Sequence, residues 1–372
     1  MRGRIARLSG SALALALAAG AALAAQVVDP ATARRAVSSP VIVAQDGELA
    51  ALAAAGRTTE LAARLERIAH DATIPAISQE WLLDRGLHAL ASGAPTPAAR
   101  AAVTRLAARP PLVYARIDPD HGDRVTPLYD TGATARFVLR QWDRAAARDA
   151  AAADLAAGRT TAVARFADAA AGNAVQVGIA DAFRAAPPAI LASQRAAVGD
   201  ALVQGRRVDA LGLVLAERLA DAALFGLVVD YAEEPVALAA IPAAARTLGA
   251  GDALALLARA SRRADIASAA TLAIGTLAPR DPAAQRFLLE AVALPEIGAS
   301  AAAALGRLGE PAVSAELARR LDDATDDATR RRLVLALKLD GSPPARDALE
   351  RFAKAGAGSA PLRQEVRQWL EL

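Results

Sequence analysis

The densest cluster of potentially reactive side chains is the run from Asp118 to Asp123, where Asp118, Asp120 and Asp123 surround His121. Three carboxylates around an imidazole invite either a cation site or acid–base catalysis. An EF-hand calcium loop needs alternating oxygen ligands, a glycine at its sixth position and a carboxylate at its twelfth. Counted from Asp118, Gly122 stands at position five and Tyr129 at position twelve. That loop is excluded. Aspartates in a tight connector also accept backbone N–H bonds from their own turn, and this accounts for every residue in the run. A weak ion site is the alternative reading.

His70 and His88 are the other histidines. A zinc site of three protein ligands would need these scattered groups to converge, and no H-x-x-x-H pair exists. Each lies in or at the end of a helical run, where a contact with the helix dipole gives it a role. The chain has no cysteine and no G-x-S-x-G, which removes the thiol nucleophile and the serine elbow. "GRLGEP" lacks a preceding strand, and neither Lys338 nor Lys354 follows a Walker-type loop. No catalytic, metal or cofactor-binding residue is assigned. The chain is expected to work without a cofactor and not as an enzyme.

The elements around these residues are helical. Hydrophobic residues make up 54% of the 372 positions but aromatics only 3%, and alanine exceeds a quarter of the chain. Alanine is the best helix former, and many small side chains are buried by close helix–helix contact. In "TTELAARLERIAH", Leu61, Leu65 and Ile68 fall on one stripe. The apolar stretch Ala210 to Val229 contains Glu217, Arg218 and Asp221 and is expected to be a buried helix, not a membrane span. Trp81, Trp142 and Trp369 are expected in the core or as caps, with Trp369 sealing the last repeat.

Repetition organises the C-terminal part. Leu248, Leu277, Leu308 and Leu339 each close an alanine/leucine run, at spacings of 29, 31 and 31 residues. A second helical run follows each break: "GDALALLARA", "DPAAQRFLLEAV", "EPAVSAELARRL" and "PPARDALERFA". Proline at or near a helix start suits the first turn. Each unit reads as helix, turn, helix, with Val313, Leu317 and Leu321 on one face.

The segments "ALGRLGEPAV" and "LDDATDDATRRRLVLALKL" resemble HEAT-like repeats of the short kind found in phycobilisome lyases. The resemblance covers about 236–355. It implies an α-solenoid of stacked helix pairs, with Arg330 at the family's arginine position and Asp322 and Asp323 in the acidic turn. At the equivalent offset the preceding repeats have Ala299, Ser268 and Ala239, which breaks any Asp–Arg ladder. Arg330, Arg331 and Arg332 read as a solvated face opposite Asp322, Asp323, Asp326 and Asp327. HEAT-repeat iron hydroxylases carry His-Glu pairs, whereas here the histidines precede Asp71, Ala89 and Gly122. The likeness to lyases lies in repeat packing and does not carry their activity across.

At the N-terminus, Arg2, Arg4 and Arg7 precede an apolar run from Ser11 to Ala21, and Ala22-Leu23-Ala24 offers an A-x-A cleavage site. That order describes a secretory signal peptide cleaved near Ala24. The formal charge of +3 equals those three arginines. The mature chain is therefore near neutral, and a nucleic-acid partner is not expected. The absence of cysteine removes a lipoprotein anchor, so a periplasmic or secreted protein with no integral membrane segment is expected.

Between Pro110 and Trp142 the helical pattern lapses. "PLVYARI" and "RVTPLY", joined by "DPDHGD", read as a β-hairpin, with Pro127 confining the second strand to an edge or bend. The expected organisation is a signal peptide at 1–24, helical repeats at 25–109, the inserted hairpin at 110–141, irregular helical repeats at 142–235 and HEAT-like repeats at 236–372. The fold expectation is all-α: an α-solenoid of HEAT-like helix pairs with one inserted β-hairpin. A separate helical domain at about 141–232 is the runner-up. The expected function is a non-catalytic scaffold for an unknown protein partner. Tyr114, Arg116, His121 and Tyr129 are the candidate contact residues, because tyrosine and arginine are enriched at binding hot spots. The alternatives are an enzyme or cofactor handler with its site around His121, and a purely structural envelope protein.

Overall fold

Short breaks at glycine, proline or an acidic cap cut the alanine- and leucine-rich sequence into many separate helices. The structure, a computed structural model, describes residues 26–116, 125–168, 170–355 and 358–371. These residues form 21 helices and one three-stranded sheet. No described helix is long and apolar enough to cross a membrane. The segment 1–24 read as a signal peptide lies outside the described residues, as does the connector 117–124 with His121. The chain divides into two compact units, Met1–Trp142 and Asp143–Leu372.

The first unit contains β1 (Gln26–Val28), α1 (Pro30–Val37), α2 (Pro40–Ala54), α3 (Thr58–His70), α4 (Ala76–Ala91), α5 (Pro97–Leu106), β2 (Val113–Arg116) and β3 (Val125–Pro127), and then the start of α6 (Thr131–Ala156). Proline opens α2 and α5, and Thr96 caps α5 by accepting from the Ala99 amide at 3.2 Å. The expected stripe on α3 is buried: Leu61, Leu65 and Ile68 pack with Leu83, Leu87 and Leu90 of α4 and with Val103 of α5. Trp142 closes this core, 1% exposed, its indole N–H donating to the Leu90 carbonyl at 3.2 Å. Trp81 is only half-buried, with the Arg85 guanidinium over its ring.

In the sheet, β2 is central. It pairs antiparallel with β3, Tyr114 opposite Pro127, and parallel with β1, Val27 opposite Tyr114. The parallel third strand was not expected, because three residues are too few to show an alternating pattern. A chain read as all-α with a lone hairpin is therefore mostly helical with a small mixed sheet. Proline at an edge strand is tolerated because its missing donor faces no partner, and Pro127 lies on edge strand β3.

The second unit continues from the rest of α6 through α7 (Thr161–Ala167), α8 (Asn173–Ala185), α9 (Pro188–Ala192), α10 (Arg195–Val203), α11 (Asp209–Leu219), α12 (Ala222–Tyr231), α13 (Glu234–Thr247) and α14 (Ala250–Ala260). It ends with α15 (Ala267–Leu277), α16 (Pro282–Ala291), α17 (Gly298–Gly306), α18 (Pro311–Asp323), α19 (Asp327–Asp340), α20 (Pro343–Lys354) and α21 (Ala360–Leu370). The stretch Ala210 to Val229, expected as one buried helix, is two helices. Ala220 takes a left-handed conformation with φ 49°, and Asp221 then caps α12 by accepting from the Ala223 and Leu224 amides.

From α11 onward the packing stays local along the chain: α11 meets α12 and α13, and α13, α15, α17 and α19 meet in series. One apolar core runs from Ala147 to Val366. Small residues allow the close approach. A Cβ added to Gly275 of α15 would stand 2.8 Å from the Cβ of Ala304 of α17.

Arginines tie elements distant in sequence together. Arg218 donates to the Ala186 carbonyl at 3.1 Å, Arg263 to Val229 at 2.7 Å and Arg320 to Leu289 at 2.7 Å. Arg332 donates to Val292 at 3.1 Å and Ala293 at 3.2 Å. Each neutralises the partial negative charge of a helix C-terminal end. Of the arginine triplet read as a solvated face, Arg331 is exposed and Arg330 pairs locally with Asp327, whereas Arg332 is turned inward to those carbonyls. Arg330 binds Asp327 and the Ala324 carbonyl, while Asp323 pairs with Arg319. Trp369 lies half-buried under the Lys338 ammonium, 3.5 Å from the ring centroid.

Candidate functional site

Three of the four contact residues expected from the sequence are described, and all belong to the first unit. Alternation along β2 buries Val113 and puts Tyr114 and Arg116 together on the other face. Tyr114 is half-buried and Arg116 exposed. Tyr129, just beyond β3, packs on the small cluster of Val28, Ala33, Ile77 and Val113. Burial, reinforced by the negative charge of Asp84, raises the Tyr129 pKa above its usual value. Tyr129 thus lies partly in a core, whereas Tyr114 and Arg116 present a surface. His121 lies outside the described residues.

The strongest polar construction in this unit was not anticipated. Glu80, 1% exposed on α4, accepts from the Leu112 amide at 2.6 Å and the Val113 amide at 3.0 Å. It thereby fixes the start of β2 to the helix. Burial raises its pKa, against the lowering effect of those two bonds and of Arg109. Beside it, the Gln79 amide nitrogen donates to the Ile68 carbonyl at 2.7 Å, and Arg109 donates to the Gln79 carbonyl oxygen at 3.0 Å and to the Ala69 carbonyl at 2.7 Å. Burial lowers the Arg109 pKa. The signal was present in "AISQEWLLDRGL": Glu80 falls in phase with Leu83 and Leu87, so a charge sits on the buried stripe.

Glu80, Asp84 and His88 follow at four-residue steps along α4 and share a face. The Thr134 hydroxyl donates to Asp84 at 2.7 Å. His88 Nδ1 lies 2.9 Å from the Asp84 carbonyl and 3.6 Å from its carboxylate. His70 Nδ1 likewise lies 2.8 Å from the Glu66 carbonyl. Both imidazoles are engaged by their own helices. Among the described residues no group of three or more His, Asp or Glu could hold a metal ion. An open cleft of about 580 Å³ between α2 and α3 is lined by Glu48, Arg57, Glu60, Arg64 and Arg67. Its charges largely answer one another, Arg57 with Glu60 and Arg64 with Glu48.

This geometry defines a mostly helical protein in which one polar seam anchors a small sheet. Neither a protein-family model nor a curated protein matches the sequence.

Proposed function

We propose that the chain is an exported, non-catalytic scaffold of HEAT-like repeats that binds a protein partner. The observation that carries this reading is the serial packing within α11 to α21, where α11, α13, α15, α17 and α19 meet one after another. Units that stack in one dimension form an α-solenoid and offer an extended surface to other proteins. The engagement of His70 and His88 by their own helices further supports a binding role over a catalytic one. Tyr114, Arg116 and Tyr129 remain the contact residues of choice, with His121 in the adjoining connector. Export rests on the order of charged, apolar and small residues before Ala25, which implies a periplasmic or secreted form without a lipid anchor.

The test is affinity purification of the tagged chain from the exported fraction, with N-terminal sequencing of the product. The expected result is an N-terminus near Ala25 and one stoichiometric protein partner, depleted in a Tyr114→Ser, Arg116→Ser double variant. A retained leader refutes export. A partner equally enriched by the double variant refutes the assigned surface, and the absence of any specific partner refutes the scaffold.

A further inference from the structure

Helices α6 and α8 touch where a side chain is missing. A Cβ added to Gly178 of α8 would collide with the Arg144 carbonyl oxygen of α6. Arg144 also pairs with Asp181 at 2.6 Å, so the two helices are fixed at this level. Further along both, toward Ala156 and Ala185, the facing residues are mostly alanines, whose methyl groups do not reach across. A cleft of about 400 Å³ is left there, within the second unit. Leu155 and Ala182 are buried and line its floor, Ala152 and Ala185 are exposed on its rim, and Pro187 and Ile190 line it beyond the end of α8. The wall is alanine, leucine, isoleucine and proline apart from one charged side chain, Arg148.

That lining differs from other clefts of this chain, which carry both signs of charge: Arg57 stands with Glu60, Arg319 with Asp323, Arg262 with Glu296 and Lys354 with Glu350. Here the charge is Arg148, and among the described residues no carboxylate lines the cleft. Arg148 donates to Asp149 at 2.9 Å, outside the lining. Those side chains are 52% and 68% exposed, and a surface pair of that kind contributes little. We infer that this cleft binds a free aliphatic carboxylate of medium chain length. Its alkyl chain lies against Leu155, Ala182 and Ile190, and the planar guanidinium of Arg148 takes the carboxylate with two parallel N–H donors. Small-molecule sites have this character: about 300–1,000 Å³ of mostly apolar wall, with a few polar groups that fix orientation. Arg148 stands about 12 Å along the axis from the end of α6 at Ala156. That distance sets the chain length, and it keeps the anion away from the partial negative charge of the helix end. A cationic headgroup would meet Arg148 instead and be repelled. This ligand site goes beyond the scaffold reading and does not depend on it.

The test is isothermal titration calorimetry of the purified full chain with decanoate and, separately, with decyltrimethylammonium, both below their micellar concentrations. Decanoate is expected to saturate one site and to bind roughly fivefold more tightly than the cationic amphiphile, the scale of an exposed ion pair. Arg148→Gln should remove that preference while the helical circular dichroism is kept. Ala152→Leu, at an exposed helical position on the rim, should fill the cleft and abolish decanoate binding without lowering the melting temperature. Absence of saturable decanoate binding overturns the inference, as does equal binding of the two amphiphiles. So does unchanged binding in folded Ala152→Leu, or an unchanged preference in Arg148→Gln. If decanoate gives no heat and Ala152→Leu instead loses a co-purifying protein, the occupant is a protein segment and the inference falls. Failure here leaves the co-purification test of the scaffold standing, so the two readings fail separately.

Discussion

Glu80 gives the sharpest perturbation. Its carboxylate holds two backbone amides at 2.6 and 3.0 Å, in a side chain only 1% exposed. Glu80→Ala leaves both N–H groups without an acceptor. A buried unmet donor costs about 1–3 kcal/mol, so the loss is about 2–6 kcal/mol, concentrated where β2 begins. Glu80→Gln keeps one acceptor and turns an N–H toward the other amide. Its cost is about 1–3 kcal/mol, reduced because no charge is then buried. The pH dependence has a definite sign. Burial raises the folded pKa above 4.5, so the native chain holds this proton more firmly than the unfolded chain does. The stability contributed by this group is full below about pH 4.5 and is lost as pH rises through the folded value. Glu80→Gln has no such dependence, so its deficit against the wild type should shrink from acidic to neutral pH. Hydrogen exchange at the Leu112 and Val113 amides is the suitable assay, because it reads local opening in a chain of two units. Unchanged protection of both amides in Glu80→Ala would refute the clamp. A Glu80→Gln deficit that grows toward neutral pH would refute the sign.

Leu317→Ala, at a fully buried position, should cost about 2–5 kcal/mol in urea unfolding, whereas Leu339→Ala, at a site 44% exposed, should stay within about 0.5 kcal/mol. Ala220→Gly should stabilise by about 0.5–1 kcal/mol, since alanine is strained at φ 49°; a lower melting temperature would contradict the two-helix account of that stretch. Arg319 and Arg320 hold the Glu316 pKa down to about 2 from 4.5. The stability it contributes is present above about pH 4.5 and lost as pH falls toward 2, so Glu316→Gln should flatten the acid limb of the unfolding curve.

Much of the helical architecture could be read in advance, because burial follows helical phase. Leu61, Leu65 and Ile68, and Val313, Leu317 and Leu321, lie inside as their spacing requires. What escaped depends on contacts between segments far apart in sequence. The strand Gln26–Val28 exists through its partner Val113–Arg116, 87 residues later in register. Three residues have no pattern of their own. The break at Ala220 hides in an apolar run because alanine signals helix, and only the Asp221 cap marks the turn. The arginines of the second unit were legible as charges but not as bonds, since their acceptors are backbone carbonyls, which every residue possesses. Of the candidate site, Tyr114 and Arg116 share a strand face as alternation predicts. Tyr129 belongs in part to a core because it packs on Val28 and Val113.

The long-range arginine bonds also determine which changes in chain length the second unit can absorb. Arg332 reaches carbonyls 39 and 40 residues upstream. One residue inserted within α19 ahead of it would rotate its guanidinium by about 100° around the helix axis, away from those oxygens. Lineages of this protein should therefore gain and lose residues in the connectors and conserve the number between each donor and its helix start. Their alignments would then show gaps clustered at the turns, with the arginines moving as fixed members of their helices.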